Sequence, residues 1–215
     1  MAHLRPLLRL AVVLAALGTP AAAQDATNWL RQEIGLPTEL HVSEMWHPRG
    51  GQLYATDPLT LWATGDAALS VPDAPARLIG LLERTQGRAA LMALIWSNAP
   101  VACGYDLTTI GVDTGLAGFL TPSDVRAVDA YADPSSGPYH GTYAAQLDAA
   151  VPTIPFIAEL PSGARFPVSG SGWGDGGYPV VSLHDAQGNM VALYTQFIAG
   201  TDDWLLPEPC TDLAG

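Results

Sequence analysis

Apolar residues along this chain come in short runs separated by turn-forming residues, a pattern typical of strands. Gln52–Thr56 ends at Asp57-Pro58, and the runs Arg77–Glu83 and Arg88–Trp96 flank a turn that ends in Gly87. This turn predicts a β-hairpin, although the composition of the second run also suits a buried helix. Further predicted extended segments are Leu40–Trp46, Val101–Tyr105, Thr108–Val112, Phe156–Leu160, Arg165–Val168, Tyr178–Leu183 and Met190–Phe197.

Helix-forming patterns are fewer. Asp25 or Thr27 can cap a helix that runs through Ile34, and Thr121-Pro122-Ser123-Asp124 has the proline and the acid that favour a helix start. Thr142–Val151 is the third predicted helix. Many strands with two or three short helices predict an α+β fold, mainly antiparallel β-sheet, in a single domain.

The N-terminus has the pattern of a secretory signal peptide. Arg5 and Arg9 precede the apolar run Leu10–Leu17, and Ala21-Ala22-Ala23 forms an A-x-A cleavage site. The apolar run is too short to cross about 30 Å of hydrocarbon. We therefore predict a signal peptide over residues 1–23 and a periplasmic or secreted domain over residues 24–215, with no membrane insertion after cleavage.

The charge of the chain limits the classes of partner that it can bind. The net charge is −12, and all nine basic residues are arginine. A strongly acidic chain argues against nucleic acid and anionic membranes as partners, and it suits a cationic protein. The absence of lysine from the sequence excludes Schiff-base chemistry.

Cys103 and Cys210 are the only cysteines, and in an exported chain they predict one disulfide, with no zinc site, other metal site or cofactor expected.

Three aspartates occupy unusual settings. Asp57 ends a strand before a proline, Asp113 precedes Thr114-Gly115, and Asp175 lies in the glycine-dense loop Gly170–Gly177. Each can cap its own turn, or they can converge. We expect them to lie close together, with Asp175 accepting backbone N–H bonds. The candidate site is completed by three further residues: Thr114, Trp173 and Tyr178, of which Trp173 and Tyr178 would form the surface that a partner touches.

Catalytic patterns are incomplete. Asp113-Thr114-Gly115 matches the aspartic-protease triplet, which needs a second carboxylate to share its proton. Ser171 with His184 would make a nucleophile–base pair, but their spacing does not require it. The glycine-dense loop lacks the lysine of a phosphate-binding loop. Asp175 with Asp57 or Asp113 offers oxygen ligands for calcium, without a recognisable calcium-binding repeat.

Four segments resemble one bacterial family in their order along the chain: Gly51–Leu59, Ile110–Phe119, Ser171–Pro179 and Gly188–Phe197. The S-G-W-G-D-G-x-Y-P element at 171–179 is the most specific. Over nearly all of residues 24–215, the chain resembles the family catalogued as domain of unknown function 4241. The family pattern often carries an acid where this chain has Leu120-Thr121-Pro122. The resemblance implies a shared fold and brings no established activity.

Three functions are consistent with the sequence. The incomplete catalytic patterns and the aromatic, glycine-rich loop favour a non-enzymatic, exported binding or interaction module that recognises a protein. The first alternative is a hydrolase that uses paired aspartates, Asp113 with Asp57 or Asp175. The second is a structural envelope protein stabilised by calcium.

Overall fold

The computed structural model describes residues 24–61, 67–130, 154–200 and 204–211. They form two helices, α1 (Ala26–Glu33) and α2 (Pro122–Asp129). The strands are β1 (Thr38–Trp46), β2 (Gln52–Thr56), β3 (Leu69–Ser70), β4 (Ala76–Glu83), β5 (Arg88–Ile95), β6 (Cys103–Val112), β7 (Leu116–Leu120), β8 (Phe156–Glu159), β9 (Arg165–Gly170), β10 (Gly176–His184) and β11 (Met190–Gln196). The predicted signal peptide and the predicted helix over 142–151 lie outside the described residues.

The strands form two antiparallel sheets. One has six strands in the order β1-β4-β5-β11-β10-β6, and the other has five in the order β3-β2-β7-β9-β8. Mainly antiparallel sheet with two helices confirms the predicted α+β class. Among the described strands, the chain passes between the sheets four times, from β1 to β2, from β3 to β4, from β6 to β7 and from β9 to β10. The last two of these connections contain segments of the candidate site.

The β4–β5 hairpin is confirmed, and its turn contains Gly87 at a φ of 65°. β5 showed no apolar–polar alternation in the sequence because all its residues after Arg88 are buried, as expected for a central strand covered on both faces.

The prediction of separate strands over 101–105 and 108–112 is wrong, because β6 is continuous. A register shift against β10 leaves Leu107 as an extra residue, so the polar Asp106 beside it does not end the strand.

Both described helices begin at the predicted caps. The Asp25 carboxylate accepts the Asn28 N–H at 2.9 Å at the start of α1. Thr121 and Asp124 form a reciprocal capping box at the start of α2. Neither helix, at eight residues, has the length or apolar character that a bilayer-spanning helix needs.

The two sheets share one hydrophobic core. Burying a large apolar side chain contributes about 1.5–3 kcal/mol to stability. The largest fully buried aromatic side chains are Tyr194, Phe119, Phe166 and Phe197. A hydrogen bond joins the two sheets, since the indole of Trp46, on the edge strand β1, donates to the carbonyl of Arg165, on β9, at 2.6 Å.

The predicted disulfide is present. Cys103 and Cys210 are bonded, with their Cα atoms 4.9 Å apart and a separation of 107 positions in sequence. Backbone hydrogen bonds accompany it, because Gly104 donates to the Glu208 carbonyl at 3.0 Å and accepts from the Cys210 N–H at 3.3 Å. The C-terminal segment is therefore fixed along the start of β6.

Candidate functional site

Asp57 is the structural centre of the candidate site. It follows β2, and its side chain is fully buried, with 0 % exposure. Its carboxylate accepts the N–H groups of Leu59 at 2.9 Å, Asp113 at 3.0 Å and Thr114 at 2.8 Å. The Thr114 hydroxyl also donates to both carboxylate oxygens, at 2.8 and 2.9 Å. One buried carboxylate therefore fixes its own turn and the β6–β7 turn together.

The structure thus brings Asp57, Asp113 and Thr114 together, but not as a catalytic pair. Asp113 contributes its backbone N–H to Asp57, and its residue is exposed to solvent. A paired-aspartate hydrolase needs two carboxylates that share a proton and contact the substrate. The hydrogen-bond acceptors of Asp57 are occupied by backbone and threonine donors, so its carboxylate is used for structure.

The β9–β10 loop is fixed against the same turn. The Ser171 N–H donates to the Gly115 carbonyl at 2.9 Å. The hydroxyls of Ser171 and Tyr178 both donate to the Gly174 carbonyl, at 2.7 and 2.8 Å. Gly172 has a φ of 64°, and a Cβ there would lie 2.6 Å from the Ala89 carbonyl oxygen. The glycine allows the loop to approach β5 more closely than any other residue would permit.

The prediction that Asp175 holds this loop is wrong. Asp175 is exposed, and its carboxylate accepts no hydrogen bond from the described residues. Its position is nevertheless informative. Gly176 and Val112 are the last paired residues of β10 and β6, so the next positions in that register are Asp175 and Asp113. Asp175 directly precedes β10 and Asp113 directly follows β6, so two exposed carboxylates lie at adjacent ends of neighbouring strands.

Trp173 and Tyr178 have different environments. The Trp173 side chain is 54 % exposed, whereas Tyr178 is 4 % exposed and contacts Phe197 edge-on at a ring separation of 5.4 Å. Burial raises the pKa of the Tyr178 hydroxyl, and the nearby Asp175 charge adds to that increase. The prediction that Tyr178 forms part of a contact surface is therefore wrong, whereas Trp173 has the exposure that such a surface requires.

Arg88 is a part of the site that sequence reasoning missed. Its guanidinium lies 5.0 Å from the centre of the Trp173 ring and donates to the Gly172 carbonyl at 2.8 Å. The two contacts orient the indole by a cation–π interaction and fix the loop that carries it. Arg88 is 85 positions before Trp173 in sequence, and no spacing pattern connects them.

The nucleophile–base pair of Ser171 and His184 is also wrong. The Ser171 hydroxyl donates to the Gly174 carbonyl, and the His184 ring nitrogens lie 3.0 Å from the Ser182 hydroxyl and the Gly188 carbonyl. In the part of the chain that the structure describes, no three histidine, cysteine, aspartate or glutamate side chains are arranged to hold a metal ion.

No family model, curated protein or solved structure matches this chain. The resemblance to the family of domain of unknown function 4241 therefore stays a prediction.

Proposed function

We propose that this chain is a single exported domain with a non-enzymatic binding function, and that its contact surface consists of Trp173, Asp113 and Asp175, here called the Trp173 surface. The observation that carries the proposal is a half-exposed indole on a loop whose backbone is fixed. Exposed tryptophans of this kind are common binding hot spots because they bury a large area.

The fixed loop favours binding for an entropic reason. Association costs free energy when it immobilises side chains and loops. Ser171, Arg88 and Tyr178 already hold the loop through its carbonyl groups, at Gly172 and Gly174. A partner therefore does not have to order this segment when it binds.

The charges of the Trp173 surface favour a cationic protein partner. Asp113 and Asp175 occupy neighbouring strand ends, and like charges at such positions repel each other. A lysine or arginine of a partner would neutralise both carboxylates, and the net charge of −12 would speed its approach. The proposed ligand is thus a basic protein segment with an apolar group for the indole.

Two independent features support export to the periplasm or beyond. The sequence before Gln24 has the pattern of a signal peptide. The Cys103–Cys210 disulfide is of the kind that persists in oxidising compartments and is rare in the cytosol of most organisms.

The test is capture of partners from envelope extract by immobilised protein comprising residues 24–215. Wild type is compared with Trp173→Ala and with the control Met45→Ala, because Met45 is also 54 % exposed but lies on β1. We expect a captured basic protein that Trp173→Ala and the double variant Asp113→Asn/Asp175→Asn lose and Met45→Ala retains. Equal capture by wild type and Trp173→Ala would exclude the proposed surface.

A further inference from the structure

A second surface region has a different chemistry from the Trp173 surface. A cleft of about 350 Å³ lies between the start of α1 and the residues of β1 and β4 that face it. We call it the α1 cleft. The helix is held over the sheet by its N-terminal connection, where the Val101 N–H donates to the Gln24 carbonyl at 2.9 Å. The volume is at the lower end of the range of small-molecule sites.

Two cations line the α1 cleft. Arg31 comes from the helix and Arg77 from β4. None of the ion pairs among the described residues involves either of them, although the chain has 21 acidic and nine basic residues. Asp25 is the one acidic residue in the lining, and its carboxylate is already engaged by the backbone and side-chain nitrogens of Asn28. The cleft therefore has two guanidinium groups and no ion-pairing carboxylate.

The polar groups of the α1 cleft are incompletely satisfied. Arg77 Nε is buried and has no acceptor among the described residues, and the one described contact of its guanidinium is a long one, 3.4 Å from Nη2 to Asn98 Oδ1. The Thr27 hydroxyl, also in the lining, is buried without a described partner. Buried donors without acceptors are unfavourable, and a bound anion would supply the missing acceptors.

Apolar side chains line the sheet side of the α1 cleft, next to Arg77 on the same strand, β4. They are Leu40 and Val42 on β1 and Ile79 on β4. Val42 is 58 % exposed, whereas Ile79, its partner across the two strands, is fully buried. Val42 and the half-buried Leu40 therefore supply the accessible apolar surface, and a ligand that matches the cleft has an anionic head and an apolar body.

We propose that the α1 cleft binds a small organic carboxylate with an aliphatic or aromatic body. The planar guanidinium forms paired hydrogen bonds with a carboxylate, and two arginines on separate elements can hold one such group. Val42 and its neighbours cover the body of the ligand. The inference is independent of the proposed protein partner, because Arg77 and Arg88 lie at opposite ends of the β4–β5 hairpin, about 20 Å apart along the strands.

The test uses isothermal titration of residues 24–215 with benzoate and hexanoate, and with benzamide, hexanol and inorganic phosphate as comparison ligands. We expect the carboxylates to bind and the neutral analogues and phosphate to bind at least about tenfold more weakly, because only the carboxylates combine an anionic group with an apolar body. Absence of carboxylate binding would overturn the proposal. Phosphate that binds as well as benzoate would also overturn it, because the apolar residues of the cleft would then contribute nothing.

Matched variants locate the binding. Arg77→Gln and Arg31→Gln should each weaken benzoate binding by about tenfold or more, since each removes one charged pair of donors. Val42→Asp should also weaken benzoate binding, because the new carboxylate would repel the carboxylate of the ligand. Arg49→Gln is the control, because Arg49 is an exposed arginine without an ion pair among the described residues and lies outside the cleft. Arg31 is itself exposed, so its variant keeps the test valid if Arg77→Gln fails to fold. Undiminished binding by Arg31→Gln would place the ligand elsewhere.

Discussion

At the level of single residues, Asp57 shows how one buried charge is accommodated. An isolated carboxylate in an apolar interior is strongly unfavourable, so burial requires several hydrogen-bond donors. Asp57 obtains them from its own turn and from a turn 56 positions later in the chain. Asp113 and Asp175 are in similar sequence settings, yet their carboxylates are exposed. The difference is set by which backbone N–H groups the fold brings within reach.

Asp57→Asn should destabilise the protein because it places an amide N–H₂ against backbone N–H donors and removes the charge that strengthens their hydrogen bonds. We expect a loss of about 3 kcal/mol in the free energy of unfolding, or roughly 6–12 °C in the melting temperature. The measurement is urea and thermal unfolding of residues 24–215.

Asp113→Asn is the matched control, because the backbone N–H that contacts Asp57 is unchanged in that variant. Its stability should stay within about 0.5 kcal/mol of wild type, as for most surface substitutions. If the two variants were equally stable, Asp57 would not be the anchor of the two turns.

At the level of elements, polar side chains hold the turns between strands in one conformation. The β10–β11 turn is organised by Asp185, whose carboxylate accepts the N–H groups of Gln187 and Asn189, each at 2.9 Å. The Asn189 side-chain amide donates to it as well, at 3.0 Å. These hydrogen bonds, the Asn189 side chain first, hold the pKa of Asp185 below its ordinary value, because they favour the charged form.

The lowered pKa predicts a pH dependence of stability. A group whose pKa is lower in the folded state stabilises the protein above its unfolded-state pKa, and that stability is lost as the pH falls through the folded-state pKa. Asp185→Asn should therefore be less stable than wild type at pH 7. The difference in the free energy of unfolding between the two proteins should narrow as the pH falls below 3.8, the ordinary pKa of aspartate. Asp129→Asn, at the exposed end of α2, serves as the control and should show no such narrowing. A gap that is constant from pH 7 to pH 2 would contradict the prediction.

The sequence was sufficient for most elements and insufficient for the site. Glycine turns located the β4–β5 and β10–β11 hairpins, because turn geometry is a local property. The role of accepting backbone N–H bonds was predicted for Asp175 and belongs to Asp57. Both aspartates precede residues that allow a sharp turn, and only the packed sheets determine which carboxylate meets the donors. Arg88 contacts Trp173 because the β9–β10 loop lies against the start of β5, and such a long-range tertiary contact is not visible in a single sequence.

At the level of the whole molecule, the disulfide connects the C-terminal segment to the edge strand β6. In that segment the Leu205 carbonyl accepts a hydrogen bond from the Tyr194 hydroxyl, and Trp204 packs edge-on against Tyr178. The segment therefore covers aromatic residues of the core from outside.

Removing the disulfide should loosen this cover. Cys103→Ser/Cys210→Ser frees a loop of 107 positions in the unfolded chain, which by loop entropy lowers stability by up to about 4–5 kcal/mol. Urea unfolding of the variant and of reduced wild type should give the same lowered midpoint. Limited proteolysis should cut the C-terminal segment first. Equal stability of the oxidised and reduced forms would contradict this expectation.

The β6–β7 and β9–β10 connections between the sheets have a consequence for folding kinetics. The Ser171–Gly115 and Asp57–Asp113 contacts each close a loop of 56 positions, and non-local contacts of this kind form slowly. Arg88, 84 positions before Gly172, also holds the loop that carries Trp173, so this contact is non-local as well. A partially folded chain would therefore lack the proposed Trp173 surface, and a partner of that surface would select molecules that have completed folding.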